Sequence, residues 1–392
     1  MNGIVELFFR EWRAIFKNRS ILLVMLFVPV MYFTLFGGLY SEKKVTDIPV
    51  AVVDSDQTEL SRELIRAFDI DQTFAVRAIV PNEQELMGLI DTGAVNVGVI
   101  IPSGLYEQAK NGKEAEVMTI IDGSNMMISN TAVRAANTVV KSISAGVTLK
   151  KLEAKGEWGQ EGKNFYTGID YRYRVLYNPT FSYLSFMVFG LGGTVLQQVL
   201  FLGVALAIAR EKEEGTLPSL MQTYSFPQLV FGKLAPYFLL STFNLLVSFS
   251  ILLKGFKVPV YGDLSLLLLA GVIFNIAVLS IGFAISYLTK DQLQATQLAM
   301  LIAVPSFMLS GFTWPITSMP PVIAGIGESL PLTYFLHALR EVLTKGHGLE
   351  SIRGDLAVLL LMSAIGMFLS YLGYLWQTRK NTATEAEQVK TA

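Results

Sequence analysis

The sequence contains no cysteine and only two histidines among its 392 residues. A disulfide framework and a thiolate metal site are therefore excluded, and little is left for imidazole chemistry. Charge is scarce as well. Asp, Glu, Lys and Arg make up 16% of the chain and nearly cancel, and a net charge of −1 offers no basis for nucleic-acid binding. What replaces charge is apolar surface: 52% of residues are hydrophobic and the mean hydropathy is +0.46, more than a soluble core of this length requires. The charges that exist crowd between Glu42 and Arg174 and almost vanish from long blocks after Asn178, separating a water-facing module from a lipid-facing one.

A hydrocarbon layer about 30 Å thick needs about 20 apolar residues at a rise of about 1.5 Å each. Six segments meet that length, approximately 20–40, 181–209, 234–253, 264–288, 295–314 and 356–376, and none contains Asp, Glu, Lys or Arg. The first is too long, and too far from the start of the chain, for a cleavable signal peptide, so it is expected to remain as an anchor. Lys and Arg in short flanks mark the side that stays inside. Arg10, Arg13, Lys17 and Arg19 precede the first segment, Arg210, Lys212 and Lys233 lie between the second and third, Lys290 follows the fourth, and Arg379, Lys380 and Lys390 follow the sixth. All fall on one side. The opposite short loops hold Lys254, Lys257, Arg340, Lys345 and Arg353. This bias predicts a multi-pass membrane protein with both termini cytoplasmic and residues 41–180 outside.

Before the first segment, Ile4, Phe8, Trp12 and Ile15 recur at helical spacing with Arg10, Arg13 and Lys17 beside them. That pattern predicts an interfacial helix over residues 1–19, lying among the lipid headgroups of the inner leaflet with Trp12, Arg13 and Lys17 as its anchors.

Residues 41–180 alternate strand-like runs (48–53, 73–80, 95–101 and 116–121) with helical patterns, which argues for a small α/β sheet containing parallel pairs. Asp56 with Glu59, and Asn82 with Glu85, have the spacing of capping boxes. Capping also accounts for Asp54 and Asp56 better than metal binding does, and no metal site is expected. A long polar helix is expected over 125–155, then a glycine-rich KGEWGQEGKN, then a strand-like YRYRVLY at 171–177. The fold class is thus a membrane all-α bundle of six transmembrane helices with an inserted α/β extracytoplasmic domain and an N-terminal interfacial helix.

After the fifth segment, residues 315–350 are too apolar for a solvated loop, yet Pro315, Pro320, Pro321 and Pro331 break any crossing helix. Short re-entrant or interfacial helices are expected, with Gly311, Trp314, Pro315 and Pro331 shaping the region.

The sequence has no GxxxxGK loop followed by Ser or Thr, so this chain is not expected to hydrolyse ATP. No buried carboxylate or basic group is visible at membrane depth, which disfavours an ion-coupled carrier. Thr194, Gln197, Gln198, Asn244, Asn275 and Gln297 are polar groups within the apolar segments. Each could face a translocation path or serve as an interhelical hydrogen-bond donor.

The densest charges between the second and third segments lie in AREKEEGTLPSLMQTYSFPQLVFGKLAPY, residues 209–237. Taken alone they mark a solvated helix end. REKEEGTLPSL followed by FGKLAPY nevertheless resembles the cytoplasmic coupling segment of the ATP-binding-cassette type 2 transporter permeases. REWRAIFKNRSILLVMLFVPVMYFTLFG, VLYNP, SGFTWPITSMP with LPLTYFLHALREVLTKG, and DIPVAVVDSDQTELSRELIRA resemble, in turn, that family's amino-terminal helix and first span, its junction into the second span, its outer re-entrant region, and the start of the outer domain in one subgroup.

The resemblance implies a permease subunit that binds no cofactor itself and works with cassette ATPase subunits, which bind ATP and Mg. It further implies a second permease copy, identical or paralogous, and membrane lipid around the pair, with an envelope or periplasmic partner for the outer domain. Coupling is assigned to the segment 210–227, through Arg210, Glu211, Glu213, Gly215, Thr216 and Leu217. The family commonly has Glu where this chain has Pro218, a residue acceptable in the first turn of a helix. Long apolar segments fit export of a hydrophobic or amphiphilic cargo such as a lipid, drug-like compound or lipid-linked glycan. The alternative is a non-transporting receptor or scaffold whose outer domain binds an envelope ligand. Residues 379–392 are expected to form a cytoplasmic tail.

Overall fold

Asn18 separates the first two helices. Its Oδ1 accepts hydrogen bonds from the N–H groups of Ser20 and Ile21 at 3.1 and 3.2 Å, so that α1 (Asn2–Lys17) ends and α2 (Arg19–Leu39) begins there. The computed structural model describes residues 2–41, 45–111, 113, 115–154, 176–179 and 181–391. It divides into two compact units, one of Met1–Lys43 with Val175–Ala392 and one of Lys44–Arg174.

The smaller unit runs β1 (Ile48–Asp54), α3 (Glu59–Ile70), β2 (Phe74–Val80), α4 (Glu83–Asp91), β3 (Val97–Ile101), α5 (Leu105–Lys110), β4 (Met118–Ile121) and α6 (Met126–Ala154). Its sheet has the order β2-β1-β3-β4, with β1 parallel to both neighbours and β4 antiparallel to β3. The Val- and Ile-rich central strands read as unbroken apolar runs because both faces are covered. Val50 and Val52 pack with Leu64, Phe68 and Ala136 on one side, while Ala51 and Val53 pack with Leu86 and Val95 on the other.

The strands lie within two residues of their expected limits. The start of α3 differs from expectation. Its cap is Thr58, whose hydroxyl accepts from Ser61 N–H at 3.3 Å while Ser61 Oγ accepts from Thr58 N–H at 3.0 Å. Asp54 and Asp56 organise the turn before it, the former accepting from Asp56 N–H, Gln57 N–H and the Ser61 hydroxyl, the latter from Thr58 Oγ1 and Tyr106 N–H. Asn82 caps α4 as expected, taking Glu85 N–H at 2.9 Å. KGEWGQEGKN and most of YRYRVLY lie outside the described residues, as does the first residue of VLYNP.

The larger unit continues with α7 (Tyr183–Glu213), α8 (Leu217–Thr223), α9 (Phe226–Ser250), α10 (Leu264–Leu288), α11 (Gln292–Leu309), α12 (Pro321–Glu328), α13 (Pro331–Leu339) and α14 (Leu349–Thr391). Six helices are long and apolar enough to cross a membrane: α2, α7, α9 with its wide last turn to Gly255, α10, α11 and α14. Several limits shift from those expected. α7 runs on through the charged residues to Glu213, α9 begins at Phe226 because Ser225 and Gln228 form a capping box there, and α11 stops at Leu309. α14 continues through residues expected to form a separate tail.

Prolines start α12 and α13, whose axes bend by 77° across their short link. The central helix is α7, which packs against α2, α9, α10, α11 and α13 and is buried along most of its length. Small residues permit this. A methyl group on Gly192 would sit 2.3 Å from Phe33 Cζ of α2, so the helices approach where no side chain stands between them. At one end of the unit, here the basic end, α1 and α8 meet the end of α7 and the start of α9.

Candidate functional site

The basic end encloses charged side chains drawn from three helices. Glu11 on α1, Glu211 and Arg210 on α7, and Lys233 on α9 are exposed by only 0%, 1%, 8% and 0%. Arg210 Nη2 donates to both carboxylate oxygens of Glu11, at 2.9 and 2.8 Å. Lys233 Nζ donates to Glu11 Oε2 at 2.8 Å and to Glu211 Oε1, and also reaches the Ala207 carbonyl at 3.1 Å. Tyr237 OH donates to Glu11 Oε1 at 2.8 Å. Arg10 Nη2 closes the group from its rim by donating to Glu211 Oε2 at 2.8 Å, and Thr216 Oγ1 donates to the same oxygen. Two carboxylates and two buried cations thus balance, with every carboxylate oxygen in use. Loss of one member of such a group leaves its partner's charge buried and unpaired, which costs about 3–5 kcal/mol.

The same end of α7 is tied to two further helices. Lys212 Nζ donates to the carbonyls of Ser286, Tyr287 and Thr289 at 3.3, 2.6 and 2.6 Å, satisfying groups that the end of α10 leaves open. Glu213 accepts from the backbone N–H and Nε2 of Gln292 at 3.2 and 3.1 Å, at the start of α11. Gly215, at φ +69°, then ends α7 in the left-handed region that glycine enters without strain. α8 follows with Pro218 in its first turn.

Of the residues assigned to coupling, Arg210, Glu211 and Leu217 therefore point inward, Leu217 at 3% exposure. The outer surface of the segment includes Glu213 and Gly215 of that set, together with Glu214, Ser219 and Thr223. The absence of charge expected at membrane depth concerned the six apolar segments; Glu11, Arg210, Glu211 and Lys233 are buried outside them. Arg210 and Glu211 lie in the last turn of α7 and Lys233 just before the third apolar segment, while Glu11 lies in the middle of α1.

A model of the ABC-2 family transporter proteins matches residues 19–372. The chain belongs to the ABC-2 transporter family. Among relatives, the probable multidrug ABC transporter permease YbhR of Escherichia coli K12 is 26% identical over 365 residues, 91% of this chain and 96% of that one. YbhS of the same strain, described in the same words, is 27% identical over 380 residues, 95% of each chain. The linearmycin resistance permease protein LnrN of Bacillus subtilis 168 is 22% identical over 371 residues, 91% of this chain and 94% of that one. The chain is accordingly a multi-pass integral membrane protein of the transporter-permease class.

In this ABC-2 chain the polar residues assigned to a path separate into groups. Asn244 Nδ2 donates to the Met25 carbonyl, holding α9 to α2, and Thr194 Oγ1 returns to Gly190 O at 2.8 Å within its own helix. Gln197 is buried at 0% exposure with neither amide atom partnered, and Asn275 Nδ2 is likewise buried without a partner. Gln198 is half-buried and Gln297 exposed. In the proline-rich region Gly311 has φ +76°, Pro331 is buried, Pro315 and Trp314 are exposed, and Trp314 Nε1 donates to Ser318 O at 3.4 Å.

On α1, Arg13 and Lys17 are exposed, and Trp12 is half-buried and stacked between Phe8 and Phe16 at 5.6 and 5.1 Å. The most deeply buried line of α1 is not the expected one. It is Leu7, Glu11 and Ile15, spaced by four, so a carboxylate sits between two core residues. That spacing was the available signal for Glu11; Lys233 and Tyr237 offered none. Among the described residues no group of three or more His, Asp or Glu side chains could hold a metal ion.

Proposed function

We propose that the chain is the membrane-spanning subunit of an exporter in which separate cassette ATPase subunits supply the energy, two permease copies form the path, and a hydrophobic or amphiphilic cargo leaves outward. The observation that carries this reading is the junction at the basic end. The charged group locks α1, α7 and α9 together, Lys212 and Glu213 add α10 and α11, and the exposed face of α8 lies directly beyond. A push on α8 would therefore reach five helices at once, four of them crossing the membrane, without a flexible linker to absorb it. ATP and Mg act only on the partner subunits.

In this proposal α1 lies in the inner headgroup layer, both termini are cytoplasmic in a bacterial inner membrane, and the α/β unit faces outward, where it meets cargo or an envelope partner. Multidrug transport, which the names of YbhR and YbhS describe, is consistent with an amphiphilic cargo. Gln197 and Asn275 are the path residues this reading favours, because both amide atoms of Gln197 and Nδ2 of Asn275 are buried without a partner among the described residues.

Ion-coupled export is the second reading, and the buried carboxylates of Glu11 and Glu211 are what favour it. Each of their oxygens already accepts from a cationic group, a hydroxyl or both, so both carboxylates are occupied in fastening helices. Transport in proteoliposomes containing the reconstituted complex separates the two. Under the ATP-driven reading, efflux of a fluorescent amphiphile requires ATP and survives an ionophore that collapses ion gradients. Efflux that stops with the ionophore and ignores ATP would replace it with the ion-coupled reading.

A further inference from the structure

At the opposite end of the helical unit from the charged group, residues 310–317, the end of α12, α13 and the start of α14 line an open cavity of about 430 Å³. One part of its wall is apolar, made by Phe312, Pro315, Ile316 and Leu336. Arg340, the first residue of the wide turn after α13, lines it beside them. Its guanidinium lies 4.5 Å from the Phe312 ring centroid, and Nη2 donates to the Phe312 carbonyl at 2.8 Å.

No carboxylate pairs with this cation among the described residues. Glu341, next in sequence, is taken by Lys345 and by His347 Nδ1, the latter at 2.6 Å. Asp355, on the cavity wall, is held by His337 Nδ1 at 2.7 Å. Glu328 stands exposed, where water screens it. A half-buried guanidinium with one hydrogen bond made keeps most of its five donors free to meet an oxyanion entering the cavity.

We propose that this cavity binds an amphiphile through an oxyanion headgroup, phosphate-like or carboxylate-like. Arg340 presents its planar fork to the head, and Phe312, Pro315, Ile316 and Leu336 receive the alkyl chain. Planar, paired N–H donors match such oxyanions, and stacking on Phe312 fixes the plane in advance. The assignment does not depend on what drives transport, because it concerns binding to the chain alone.

The test uses the purified full-length chain in dodecyl maltoside, with thermal unfolding followed during titration by dodecyl phosphate, inorganic phosphate or dodecyltrimethylammonium. Dodecyl phosphate should raise the midpoint in a saturable way, and R340Q should move the half-saturating concentration up by about tenfold, the equivalent of one charge-assisted hydrogen bond. R340K, which keeps the charge, should recover part of the loss. I316W, which keeps Arg340 but fills the apolar end, should weaken dodecyl phosphate while its unliganded midpoint reports that it folds. An equal response of wild type and these variants would overturn the proposal. So would an equal effect of the trimethylammonium compound, whereas full stabilisation by inorganic phosphate alone would show a bare anion site and overturn the amphiphile.

Discussion

Lys233 on α9 donates to Glu11 on α1 at 2.8 Å across 222 residues of sequence. Neither side chain is exposed to solvent, so the pair is a fastening between helices that hydropathy alone would leave unconnected. K233M removes the cation shared by Glu11 and Glu211 and should destabilise the chain by about 3–5 kcal/mol. Thermal unfolding in detergent reads this. Adding E11Q to K233M should return part of the loss, because one of the two stranded carboxylates is then neutral, and a purely additive double mutant would contradict the pairing.

Close approach of α7 and α2 rests on the missing side chain of Gly192 opposite Phe33. G192V should cost about 1–3 kcal/mol through overpacking. F33A alone leaves a cavity, but combined with G192V it should restore folded yield toward wild type. Size-exclusion chromatography of the purified variants measures the outcome, and no rescue would show that the contact is not what limits Gly192.

Buried amides give opposite expectations at two positions. N244L removes the bond to the Met25 carbonyl and should lower stability by about 0.6–1.7 kcal/mol. Q197L replaces an amide with no partner and should leave stability equal or raised, while reducing export of a fluorescent amphiphile in vesicles. Unaltered export would remove Gln197 from the path.

How much of this was legible in the sequence depends on the length scale of each signal. Windows of twenty apolar residues located the six long helices, and β-branched runs such as IPVAVV located the strands, because burial acts on whole segments. The limits of α7 and α9 were misplaced because a hydropathy window ends at the first charge, whereas the backbone of α7 runs on until Gly215 adopts positive φ. Arg210 and Glu211 were found through family resemblance and assigned to coupling, with nothing in the sequence to say that they are buried. Their burial is decided by Glu11 and Lys233, which lie far away in sequence and were read as parts of an amphipathic leader and a basic flank. Pairing of that kind is set by tertiary packing and leaves no periodic trace.

The outward surface of the α7–α8 turn should be replaceable without loss of fold. E214K combined with S219K is expected to shift stability by within about 0.5 kcal/mol, since both side chains are exposed and neither bonds to another helix among the described residues. Co-purification with the ATPase subunits should fall all the same. Retained association would move the docking surface away from this turn.

Because the natural chain has no cysteine, single cysteines can be placed at will. The most direct test of the account puts one at Ser219 on α8 and another, in a separate variant, at Ser124 in the α/β unit. In cells that also express the cassette ATPase, S219C should cross-link to the ATPase and resist an impermeant thiol reagent added outside, while S124C should react from outside and form no adduct. Cross-linking through S124C, or labelling of S219C from outside, would contradict the coupling role and the orientation together.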